Sequence, residues 1–160
     1  MHPNAALVDS FYRAFARRDA AAMNACYAPG IRFEDAAFGP LEGDRARAMW
    51  SMLCERAKDF RVEHRDVVAD DARGSAHWEA HYTFSGTGRT VHNVIDADFE
   101  FAGGLIVRHT DRFDFHRWCG MALGPHMRFL SLLPPVRGTI RKKALAGLDG
   151  WIAKRTATPG

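Results

Sequence analysis

His77–Phe115, HWEAHYTFSGTGRTVHNVIDADFEFAGGLIVRHTDRFDF, is the stretch that decides the fold. Apolar and polar residues alternate along it with the two-residue period of extended chain. The alternation stops at SGTGR and at AGG, whose glycines supply the backbone angles of tight hairpins. Upstream, DDARG at 70–74 breaks the chain in the same way. The pattern predicts four long antiparallel strands over roughly 61–69, 75–85, 90–102 and 105–116.

Before these strands the period changes. Leu7, Val8, Phe11, Ala14 and Phe15 recur at helical intervals within Ala5–Arg18. Asp19 is placed to cap a second helix, AAAMNACYA, that stops at Pro29-Gly30. IRFED then reads as a short strand with Asp35 on the side of Ile31 and Phe33, and Asp44–Asp59 as a third helix after the turn-rich FGPLEG. Helices followed by a meander of strands define an α+β fold, three N-terminal helices packed on a curved, mainly antiparallel sheet. After Arg117 the chain changes character. HRWCGMALGPHMRFLSLLPPVRG is apolar and broken by Gly and Pro, and the segment after it reads as an amphipathic helix. Ile140, Ala144, Leu148, Trp151 and Ile152 form its apolar stripe, with Arg141, Lys142 and Lys154 opposite. The domain division is therefore 1–118 for the main body and 119–160 for a C-terminal helical extension, docked on the body or on a second subunit.

With 160 residues, 47% of them hydrophobic, the chain suits one domain with a substantial core. Net charge is +3, but residues 1–115 carry 14 basic and 18 acidic side chains against 8 and 1 for residues 116–160. Basicity is thus confined to the tail, no basic-aromatic face runs along the body, and no nucleic-acid partner is expected. Membrane contact through the basic tail is the alternative to simple docking. Cys26, Cys54 and Cys119 match no metal or redox spacing, and neither an exported leader nor an 18-residue apolar run is evident, so a cytoplasmic setting is expected.

The polar residues on apolar faces carry the chemistry. His109 and Asp111 share a face with Leu105, Val107 and Phe113, and a lone ionised carboxylate there costs several kcal/mol unless it pairs or takes a proton. That leaves a core ion pair or an acid–base group in a pocket. Asp96 lies mid-strand on a polar face with Asp98 and Glu100. In HWEAH, His77, Glu79 and His81 share a face, yet strand residues four apart stand about 13 Å apart while zinc reaches its ligands at about 2 Å. One of the two histidines could join a cross-strand site but not both, and no metal is expected.

The element order with these words resembles the nuclear transport factor 2-like superfamily over about residues 5–118. YAPGIRFEDAAFGPLEG is similar to the ketosteroid isomerase segment bearing the proton-abstracting Asp, which implies that role for Asp35. NVIDADFEF resembles the strand bearing their protonated hydrogen-bond donor, which implies it for Asp96. The isomerases' first-helix Tyr aligns with Phe11, next to Tyr12. GGLIVRHTDRFD resembles the last long strand of SnoaL-like polyketide cyclases and implies a base at Asp111; limonene epoxide hydrolases also use an Asp there, with an Arg on the neighbouring strand that HWEAHYTF lacks. The resemblance implies a cone-shaped, homodimeric, cofactor-free acid–base enzyme acting on a small hydrophobic ligand, with Tyr12, His92 and His109 as supporting residues and Trp50, Trp78 and Phe113 shaping the cavity. A ligand-binding or assembly module without catalysis is the competing reading.

Overall fold

In the computed structural model, which describes residues 1–157, local signals start the helices. Pro3 opens α1 (Pro3–Ala16), where a missing amide costs nothing, and His2 accepts the Asn4 amide at 3.1 Å. Asp19 caps α2 (Ala20–Ala25) through the Ala22 amide at 3.0 Å. The third helix, α3, is Asp44–Arg56.

Six strands form one curved sheet: β1 (Tyr27–Asp35), β2 (Gly39–Glu42), β3 (Arg61–Ala69), β4 (Arg73–Phe84), β5 (Arg89–Ala102) and β6 (Leu105–Arg112), in the order β2-β1-β6-β5-β4-β3. All neighbours are antiparallel except β1 and β6, which run parallel. Ala102 pairs with Leu105 across Gly103 and Gly104, whose φ of 59° and 78° make the tight turn expected of AGG. Helices α1–α3 cover one face, and Phe11, Phe15, Phe33, Trp50, Trp78 and Phe99 fill the space between helices and sheet, each at most 7% exposed. The architecture is the expected α+β cone.

Three local readings are corrected. Residues 27–30 are strand, not the end of α2, because Tyr27 pairs with Ile106 and a register shift before Arg32 absorbs Pro29. Gly39–Glu42, expected as turn, is the edge strand β2, where the missing amide of Pro40 faces no partner. In β6 a register shift opposite Glu100/Phe101 interrupts the alternation, so Ile106 is buried and Leu105 and Val107 are half-buried, while His109 and Asp111 stay inside.

The extension folds as α4 (Phe115–Leu123), α5 (Met127–Leu130) and α6 (Pro134–Ala157); its residues 158–160 lie outside the described residues. Asp114 caps α4 through the Arg117 amide at 3.0 Å. Helix α6 lies on α3 of the same chain. Leu148 is fully buried, Leu145, Trp151 and Ile152 pack on the core, and Glu55 accepts from Trp151 Nε1 at 2.6 Å and Arg155 Nη2 at 2.5 Å. The apolar stripe is as expected; Arg141, expected on the outer face, is instead half-buried against Gly39.

Candidate active site

A buried hydrogen-bonded chain crosses the cone. Trp50 Nε1 donates to the Tyr27 hydroxyl at 2.8 Å, and that hydroxyl lies 2.7 Å from His109 Nδ1. A Tyr27 hydroxyl that accepts from Trp50 can also donate to Nδ1, and with Nε2–H turned to Asp111 this arrangement gives every group in the chain a partner. Nε2 donates to Asp111 Oδ1 at 2.8 Å, and Trp78 Nε1 donates to the same oxygen at 3.3 Å. Two donors on one oxygen suit an ionised carboxylate, which is acceptor-only. The His109 and Asp111 side chains are 0% and 3% exposed, so this pairing is what makes a charge tolerable there.

The parallel register of β1 and β6 sets Phe33 beside His109 and Glu34 beside Thr110. One step further, Asp35 comes beside Asp111, on strands about 5 Å apart. Asp35 Oδ1 accepts the amides of Ala37 at 2.9 Å and Phe38 at 2.7 Å, a turn that leaves Oδ2 free of these contacts. Burial pushes the Asp35 carboxyl up from 3.8 to about 7; the Asp111 charge adds to the rise, while the two amides and Arg141 oppose it. The residue as a whole is half-buried, while the protein around its carboxyl desolvates that group.

Arg141 comes from α6. Its Nη2 donates to the Ala36 carbonyl at 3.4 Å, and its Nε is buried without a hydrogen-bond partner among the described residues. Tyr82, whose hydroxyl accepts from Trp118 Nε1 at 2.8 Å, has its pKa raised by burial and further by the Asp35 charge. Deeper in the cone, the Tyr12 hydroxyl is buried without a partner among the described residues, and its pKa is raised well above 10.0 by burial with Asp111 adding. Trp50 and Trp78 are buried walls that also donate to the chain, and Phe113 is half-buried at its edge.

Asp96 and His92 are elsewhere. In β5, Ile95, Ala97 and Phe99 face the core, so Asp96 lies on the opposite, outer face, exposed and 2.9 Å from His77 Nδ1. His92 shares that face and bonds Glu79 at 2.7 Å. Of the three acids, then, the fold brings Asp35 and Asp111 together and keeps Asp96 apart. Sequence reasoning passed over Tyr27, Tyr82 and Arg141. Tyr27 falls within the predicted α2, the alternation along β4 gives Tyr82 no more than a place in the core or lining the cavity, and Arg141 reads as the polar face of its helix.

Helices covering one face of a curved six-stranded sheet, with carboxylates between them, define an α+β cone. The SnoaL-like domain family matches residues 8–109, and the chain belongs to that family. No curated protein matches the sequence. Among solved structures, a candidate polyketide cyclase from Xanthomonas campestris pv. campestris is 25% identical, with a TM-score of 0.62 over 74% of this chain and 96% of that one. A nuclear transport factor 2-like protein from Burkholderia pseudomallei is 21% identical, with a TM-score of 0.65 over 76% and 98%. An epoxide hydrolase of the limonene epoxide hydrolase type from Mycobacterium tuberculosis is 19% identical, with a TM-score of 0.64 over 83% and 96%. These last two share the fold.

Proposed function

We propose that the protein is a cofactor-free acid–base enzyme, an isomerase or cyclase acting on a small hydrophobic carbonyl compound, with Asp35 as the group that exchanges the proton. The observation that carries this reading is a carboxyl beside Asp111 whose pKa of about 7 lets it both accept and return a proton near neutrality. Asp111 is the buried partner. Held in place by His109 and Trp78, it keeps negative charge beside Asp35, the arrangement that separates the proton affinities of two neighbouring carboxylates. The unpartnered Tyr12 hydroxyl supports the reading too, since a ligand oxygen would satisfy a buried donor that otherwise costs stability. Asp96, exposed on the outer face, has no role in this mechanism. The cytoplasmic setting belongs to the same proposal and rests on three free, buried cysteines. So does the homodimer, for which the exposed Phe129, Leu132 and Leu133 offer an apolar contact.

Solvent deuterium exchange at carbons alpha to the carbonyl, followed by NMR over a panel of cyclic ketones and polyketide-like diketones, tests it. Exchange is expected in the wild type and lost in Asp35→Asn; exchange that Asp35→Asn retains refutes the role of Asp35. A second reading, a ligand-binding module without catalysis, is favoured by the aromatic side chains that fill the cone. It predicts saturable binding of the same compounds with no exchange.

A further inference from the structure

The outer face of the sheet holds a second cluster of polar side chains, on the side away from Asp35 and Asp111. His81 on β4 is paired directly across the ladder with His92 on β5, and their rings stack at 4.1 Å with planes 14° apart. Glu79, two residues before His81 and on the same face, sets Oε1 2.7 Å from His92 Nε2. Its Oε2 is held by Arg65 Nη1 at 3.0 Å and His77 Nε2 at 3.1 Å. His81 makes no side-chain hydrogen bond among the described residues; its ring contact is the stack on His92.

We propose that Glu79, His81 and His92 form a binding site for a divalent cation of the zinc class. One ligand atom from each residue lies within 4.8 Å of the others. Atoms around a tetrahedral zinc at about 2.0–2.2 Å stand about 3.4 Å apart, so binding opens the 2.7 Å contact of Glu79 with His92 and turns the two stacked imidazoles until both ring planes meet at the ion. Two imidazoles and one carboxylate are donors this class of ion accepts, and three protein ligands leave a fourth position open. An open cavity of about 440 Å³ lies against His81 and His92, with Asp59, Tyr82, Thr90 and Met121 also lining it, and leaves room there for water or a further ligand. His77, engaged by Asp96 and by the far oxygen of Glu79, steadies the carboxylate from outside the set. The spacing within HWEAH admits one of its histidines to a cross-strand site, although no metal is expected from it. Register with β5 supplies the second histidine, which no spacing within one strand can show.

Titration of the metal-stripped full chain with Zn²⁺ by isothermal calorimetry at pH 7.5, with Co²⁺ absorption as the spectroscopic readout, tests the site. One saturable site per chain is expected, weakened at least about tenfold in His81→Gln and in His92→Gln and unchanged in His126→Gln. Far-UV circular dichroism confirms that the variants are folded. An anomalous peak between the three side chains in a Zn²⁺-soaked wild-type crystal locates the ion without any variant. No saturable binding, binding that either Gln variant keeps, or a peak elsewhere overturns the proposal.

Discussion

Asp35→Asn separates the carboxyl's charge from its shape. The Asn oxygen still accepts the Ala37 and Phe38 amides, so the turn survives while the titration disappears. An acid raised in the folded state, here from 3.8 to about 7, binds its proton more tightly folded than unfolded. Its contribution to stability is full below about 3.8 and is lost as pH rises through about 7. At about 1.4 kcal/mol per tenfold, the loss between pH 5 and pH 8 is between about 1 and 3 kcal/mol, the lower end allowing for solvent at a half-buried residue. Asn carries no such dependence. Urea unfolding followed by circular dichroism at pH 5 and pH 8 should therefore show Asp35→Asn gaining on the wild type by that amount as pH rises. Titrating groups that do not face Asp35 cancel in the comparison. A difference between the two proteins that stays constant from pH 5 to pH 8 refutes the desolvated carboxyl, and with it the near-neutral acid of the proposed mechanism.

Arg141→Met removes a cation that opposes the rise at Asp35, so the Asp35 titration, followed by carboxyl ¹³C NMR, should move upward from about 7; no movement detaches α6 from the site. His109→Phe fits the aromatic cluster but leaves Tyr27 and Asp111 without their shared partner, and should cost about 3–5 kcal/mol in urea unfolding, a loss under about 1 kcal/mol contradicting the buried pair. Leu148→Ala should cost about 2–5 kcal/mol, read as a lowered Tm, because the side chain is fully buried between α6 and the body; a neutral result means α6 is not part of the core. Asp96→Asn, exposed on the outer face, should stay within about 0.5 kcal/mol of wild type and leave the Asp35 titration unchanged.

Much of the fold was legible in the sequence because its periods are local. The alternation from His77 to Phe115, the AGG turn and the stripe of α1 each express a preference that neighbours in the chain settle among themselves. The inward placement of Asp35, His109 and Asp111 was legible for the same reason, since parity along a strand tells which residues share a face. Parity does not tell which strands lie side by side. The parallel β1–β6 pairing, which brings Asp35 beside Asp111, joins segments distant in sequence, and the β4–β5 register that pairs His81 with His92 is set by the whole ladder. For Asp96 parity and resemblance point different ways, and the structure follows parity: it sits on the polar face of β5, in solvent, although its sequence context resembles a catalytic strand. Arg141 shows the limit of local patterns: a cation on the polar side of an amphipathic helix reads as solvated until α6 packs on α3 and delivers it to the Ala36 carbonyl, next to Asp35. The sequence by itself determined most of the elements and which side chains along a strand share a face; tertiary structure alone decided the company those side chains keep, because proton affinity and metal binding depend on charges and donors brought within a few ångströms from separate segments.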